Sequence, residues 1–201
     1  MKVLALELSS ARGSLAFVGD EGEVHLEWPN DRKNSASFFR NLTDVRKQCG
    51  LPDMIIVGLG PGSYAGTRIA ISAAIGLQAA SRVQLVGFPS ICAISSPQPY
   101  CVIGDARRQT FFFARIDGRR ELSEGPLLMT ERELQSKLRD VEAAPVFSAE
   151  RLQNFQTEIR FPSARVLAAL ALEGNHHFVL SALEPIYLRE PHITMPKPIQ
   201  L

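Results

Sequence analysis

The stretch Gly58-Leu59-Gly60-Pro61-Gly62-Ser63-Tyr64-Ala65-Gly66 comes nearest to chemistry in this chain. Glycines permit positive φ and let one backbone approach another closely. The short apolar run Met54–Val57 before it suits a buried strand, and Thr67–Ala80 after it reads as a helix. Free N–H groups at a helix start can hold an anion. A phosphate site at Gly60, Gly62, Ser63 and Gly66 is therefore one expectation; a tight turn with no ligand is the other.

Two familiar phosphate patterns fit poorly. Gly60-Pro61-Gly62-Ser63-Tyr64-Ala65 has the dinucleotide spacing G-x-G-x-x-A, but Gly87-Phe88 stand where an acid should end the next strand. Pro61 also removes an N–H that such a turn would use. Thr67-Arg68 after Gly66 lacks the lysine of a P-loop. No nucleophile constellation stands out, since Ser63 is not in G-x-S-x-G and no base is visible near it. His176 and His177 are adjacent, point apart on a helix, and read as a solvated loop pair. Cys49, Cys92 and Cys101 match neither a disulfide framework nor a zinc spacing. They read as reduced thiols of a cytoplasmic protein.

The elements that must position the turn follow from hydrophobic period. Lys2–Leu8, Ser14–Val18 and Glu23–Trp28 read as strands with short links, which favours an antiparallel meander. Phe38, Leu42 and Val45 recur at helical spacing, so the spacing predicts a helix over Ser35–Cys49, stopped by Gly50. Val83–Val86 reads as another buried strand, and Pro89–Ser95 as the start of a helix. A meander leading into parallel crossovers gives an α/β fold with a mixed sheet and helices on its faces. Ser95–Pro99 is the expected lobe boundary, giving lobes 1–97 and 98–201. Beyond it, Tyr100–Gly104 and Gln109–Ile116 read as paired strands around Asp105-Ala106-Arg107-Arg108. Thr130–Arg139 is a helix with a capping box of Thr130 and Glu133. Val146–Ser148 reads as a strand, Ser163–Leu172 as a helix and Ile186–Leu188 as a short extended piece. The proline-rich stretch from Glu190 is expected to be a loose tail.

The helix after the turn is apolar on nearly every side: Ile69, Ala73, Gly76 and Ala80 form one stripe, Ala70, Ala74 and Leu77 the next. Such a helix must be buried on nearly every side, under a second lobe or by a partner. The 201 residues carry a net charge of +1, so no global field argues for nucleic acid. No run of about 18 apolar residues suggests a membrane span.

The segment from Gly58 to Ala80 resembles the TsaB family's pattern G-P-G-S-F-T-G-L-R-I-G followed by a small-residue helix. Gly60, Pro61, Gly62, Ser63, Gly66, Arg68 and Ile69 match; Tyr64, Ala65 and Thr67 differ. Three weaker likenesses lie in register: Val3–Ser10 with the opening strand, Asp105–Arg108 with a D-A-R turn, and Pro185–Arg189 with a closing P-x-Y-L-R. The resemblance implies a two-lobed, actin-like ATPase (ribonuclease H-like) fold with mixed sheets flanked by helices. It places Glu7 and Ser9, with Gly60, Gly62, Ser63, Gly66 and Arg68, at a nucleotide or anion turn. Glu7 could hold a metal-bound water there, but it stands one methylene further out than the usual aspartate, which argues against a working ATPase.

The resemblance further implies a non-catalytic subunit with no required cofactor, no metal and at most weak or partner-dependent ATP or ADP binding. The catalytic TsaD-type relative carries a His-x-x-x-His pair, and His25, His176, His177 and His192 have no such spacing. A TsaD-type subunit would dock on Ile69, Ala70, Ala73, Ala74 and Leu77, with Phe38 and Leu42 of the earlier helix. A charge at Ala73 or Ala74 is then expected to break association and leave the monomer folded. A TsaE-type ATPase and tRNA would join through the complex, with Arg12, Arg107 and Arg108 touching tRNA or an acidic partner surface. Two copies could pair through the same helix in isolation. An independent actin-fold ATPase or kinase, and a glycoprotease-type hydrolase, are the alternatives.

Overall fold

All five residues of β1 (Val3–Glu7) are buried, although successive side chains point to opposite faces of a sheet. Such a strand needs cover on both sides. The computed structural model, which describes residues 1–20, 22–30, 35–141, 144–180 and 182–189, shows that cover. β2 (Arg12–Gly19) and β3 (Gly22–Pro29) continue from β1 as an antiparallel meander. Helix α1 (Ala36–Cys49) then leads to β4 (Met54–Gly58), parallel to β1. Helix α2 (Tyr64–Ser81) leads to β5 (Gln84–Phe88), parallel to β4. The order is β3-β2-β1-β4-β5.

The second half repeats this plan. β6 (Tyr100–Asp105), β7 (Thr110–Ile116) and β8 (Leu122–Thr130) form an antiparallel meander. Helix α3 (Glu131–Asp140) follows, then β9 (Val146–Ser148) and β10 (Glu158–Ile159), both running parallel to their neighbours. The order β10-β9-β6-β7-β8 is the first sheet's order read from the other edge. Two mixed sheets of one plan, flanked by helices, make the two-lobed actin-like architecture that the resemblance implies. In each sheet the first hairpin turn (Leu8–Ala11, then Ala106–Gln109) occupies the same place.

The two faces of the first sheet take different helices. Leu4, Leu6, Ile55 and Val57 pack with Phe38, Leu42 and Val45 of α1 and Ala70 and Ala74 of α2. Val3, Ala5 and Ile56 pack with Leu167, Ala168 and Ala171 of α4 (Ala164–Glu173). This last helix follows the second sheet in the chain yet covers β1, β2 and β4. The strands divide near residue 97; the helices do not.

Local sequence explains most element ends. Ser63 caps α2, its Oγ accepting the Gly66 N–H at 3.3 Å, so the helix starts at Tyr64 rather than Thr67. Thr130 and Glu133 form the expected reciprocal capping box on α3. Pro89–Ser95 makes only one 3-10 turn, Ser90–Ala93. Gly125 and Pro126 both lie within β8, a strand not predicted from the sequence; β8 is an edge strand, where proline's missing N–H breaks no ladder. Ile186–Leu188 joins no strand, and the stretch from Glu190 lies outside the described residues. Among the described residues no helix is long and apolar enough to cross a membrane.

Candidate functional site: the glycine turn and the cleft between the sheets

Several N–H groups in and beside the glycine turn are used on the protein itself. Leu59 donates to the Phe88 carbonyl at 2.9 Å and Gly60 to Ser90 Oγ at 2.9 Å. Ser63 donates to the Ser9 carbonyl at 2.5 Å, and Thr67 to the Ser63 carbonyl at 2.9 Å. With the Gly66 N–H on Ser63 Oγ, these five donors are not free for an anion. The glycines serve closeness. A Cβ on Gly62 would stand 2.1 Å from the Ser9 carbonyl oxygen, and one on Gly66 2.1 Å from that of Leu8. The turn is a clamp that seats the start of α2 on the β1–β2 hairpin.

Glu7 lies behind this clamp. Its side chain is fully buried, and the Ser9 N–H donates to Oε1 at 2.6 Å. Oε2 points at the backbone of Gly58, where a Cβ would come within 1.8 Å of it. Burial pushes the carboxyl above its ordinary value, partly opposed by hydrogen bonds from Ser9 and Ser90. Glu7 does not line the cleft, so it cannot present a carboxylate to a metal-bound water there. A carboxyl raised in the folded state gives its full stability below its unfolded value, near 4.5, and loses it as pH rises through the folded value. Glu7→Gln, neutral throughout, is therefore expected to flatten the loss of stability that wild type shows from about pH 5 upward. Urea unfolding across pH 5 to 8 measures it; equal slopes in the two proteins would refute the assignment.

Between the two hairpin turns runs a cleft of about 560 Å³, within the range of small-molecule sites. Its floor is apolar, from Leu59, Ile91, Ile94, Val102 and Phe112. Of its charged groups, Arg107 pairs with Asp105 at 3.1 Å, and Glu150 Oε1 accepts the Asp105 N–H at 3.0 Å. Arg189 reaches Thr110 Oγ1. Ser9, Gly62 and Ser63 line this cleft, whereas Glu7, Gly60, Gly66 and Arg68 do not. The sequence grouping of all seven as one anion turn is thus divided by the structure. Glu7, the acid that the sequence offered for a metal-bound water, is sealed away from the cleft.

The proposed docking residues also divide. Ala70 and Ala74 are fully buried on the first sheet, and Phe38 and Leu42 are buried beneath α1. These four belong to the chain's own core and cannot meet a partner. Ile69, Ala73 and Leu77 are partly covered by that same core. The outer face of α2 instead shows Ala65, Arg68, Ser72, Ile75, Gly76 and Ala79, with Ile75 47% exposed. Phe39 of α1, 48% exposed, is that helix's outward aromatic. Helical spacing links these α2 positions as cleanly as it links the buried ones, and Arg68 and Ser72 were the signal that this side faces water.

The other singled-out side chains are placed plainly. Arg12 pairs with Glu27 at 3.3 Å and lies over Phe161. Arg68 donates to the Tyr64 hydroxyl at 2.7 Å. Arg107 and Arg108 sit at the β6–β7 tip, both with positive φ, 67° and 54°. His176 is no solvated loop residue. Its side chain is 4% exposed and stands 3.2 Å from Glu121 and 3.0 Å from Glu173. His177 is exposed. Cys92 and Cys101 are buried free thiols, and burial pushes Cys92 up to about 12.

No family model matches the sequence, and no curated protein does. Solved structures do. A Pseudomonas aeruginosa protein described as similar to peptidase YeaZ superposes with a TM-score of 0.75 over 94% of this chain and 99% of its own, at 21% identity. This chain has the YeaZ fold. YeaZ from Pseudomonas aeruginosa itself superposes at 0.70, covering 93% of this chain and 99% of its own, with 19% identity. The YeaZ fold thus spans both sheets, the glycine turn and α2, with almost nothing of the compared chains left over.

Proposed function

We propose that this chain is a TsaB-family, non-catalytic subunit of the machinery that places a threonylcarbamoyl group on N6 of the adenosine next to the anticodon. It pairs with a TsaD-type catalytic subunit through the outer face of α2. The carrying observation is the two-sidedness of that helix. Its inner face is fully packed, while its outer face exposes Ile75 among small residues that let another helix approach closely. The YeaZ fold and the matched turn motif support the family; the sealed Glu7 and the self-bonded turn support a subunit without its own chemistry. A TsaE-type ATPase and tRNA join through the complex in the cytoplasm, with Arg12, Arg107 and Arg108 as contact candidates on both hairpins. A homodimer through α2 is the expected form when the partner is missing.

Affinity purification of the tagged full-length chain from its native cells tests this. A TsaD-type protein should co-purify in near-equal amount. Its consistent absence, or ATP turnover by the isolated chain, would overturn the reading.

A further inference from the structure

The described chain after α4 has a firm root, and beyond it a stretch with few backbone bonds. At the root, His176 is wedged between Glu121 and Glu173, its ring against Phe88 and Phe178. Val179 then pairs with Gly87 on the edge of the first sheet through two backbone bonds of 2.8 and 2.9 Å. Past this point, among the described residues, the segment makes one backbone bond, from the Ile186 N–H to the Leu59 carbonyl at 2.7 Å. Residues Pro185 to Arg189 all line the cleft. Leu183 and Ile186 pack on the core under α1 and α2, and Leu188 on the core between the sheets. Arg189 reaches Thr110 at the start of β7. The segment therefore crosses from one sheet to the other over the cleft.

One aromatic pair fastens this crossing to the first turn of α2. The Tyr187 ring lies 5.5 Å from that of Tyr64, tilted by 39°. Arg68 holds Tyr64 from the other side, by the bond to its hydroxyl and with its guanidinium 5.2 Å over the ring. A segment with one backbone bond and a half-exposed aromatic contact opens more readily than the sheets beneath it. We propose that residues 183–189 are a gate over the cleft, latched by Tyr187 on Tyr64. When the gate lifts, it uncovers Leu59 and Thr67 and the apolar floor and withdraws Ile186 and Leu188 from the cores, while the strand pairing of both sheets stays in place. The latch sits on α2 itself, but the gate works with or without a partner on that helix.

Tyr187→Ala removes a ring that is 42% exposed, so the fold survives it. Amide hydrogen exchange on the full chain is expected to show Ile186 exchanging at least about tenfold faster in the variant, with β1 and β4 amides unchanged. A second readout uses Thr67→Cys, a near-isosteric change at a buried cleft position, in a Cys49→Ser background. Its thiol should label faster when Tyr187→Ala is added. Three results would each overturn the gate: unchanged Ile186 exchange, a rise shared equally by β1 and β4, or unchanged labelling at position 67.

Discussion

Replacing Gly66 with alanine is expected to destabilise the protein by about 3 kcal/mol or more, at the upper end of overpacking effects. The new Cβ would stand 2.1 Å from the Leu8 carbonyl oxygen and 3.2 Å from its carbon. Both are backbone atoms of the β1–β2 hairpin, whose flanking strands are buried, so neither side can rotate away. The usual gain from replacing a helical glycine, about 1 kcal/mol, is too small to offset this. Relief requires α2 to slide outward, which lengthens the 2.5 Å bond from Ser63 to Ser9 and opens the core at Ala70 and Ala74. Gly76, in the same helix, has nothing within 4 Å of its would-be Cβ. Gly76→Ala is the control and should be neutral or slightly stabilising. Urea unfolding of the two variants measures the contrast; similar midpoints would mean that the turn is not a clamp.

Much of this arrangement is legible in the residues, and the failures have physical causes. The first sheet reads directly because short apolar runs separated by turn residues leave few alternatives. The duplicated plan of the second sheet does not, since strand order is set by pairing and leaves no residue repeat. β8 hides behind Gly125-Pro126, and β10 has only two residues. Glu7 could have been placed by alternation: it shares a face with Val3 and Ala5, which pack toward α4, and so it belongs to the interior. In α2 the difficulty is compositional. Alanine and glycine carry little hydrophobic contrast, so a helix rich in them gives a weak sense of direction. The inward face is marked by Thr67, Ala70, Ile71 and Ala74, spaced by three and four, and its one polar member conceals the stripe.

That misdirection bears on the sharpest test of the partner role. Ala74 is fully buried on the first sheet, so Ala74→Arg must force a guanidinium and its stem into a filled core. The loss should reach about 5 kcal/mol, comparable with the whole stability of a marginal domain. The variant is expected to unfold, which reverses the expectation drawn from sequence that the monomer would survive. The substitution that separates folding from binding is one position on. Ile75 is 47% exposed, and Ile75→Arg should leave the unfolding midpoint within about 0.5 kcal/mol of wild type. At the centre of a helix-to-helix interface the same change buries an unpaired charge. It should weaken the complex by at least about 2 kcal/mol, a factor of roughly 30 in Kd. Calorimetric titration against a TsaD-type subunit, alongside thermal melts of both variants, provides the measurement. If Ile75→Arg binds as wild type does, the outer face of α2 is not the docking surface, whatever Ala74→Arg does to the fold.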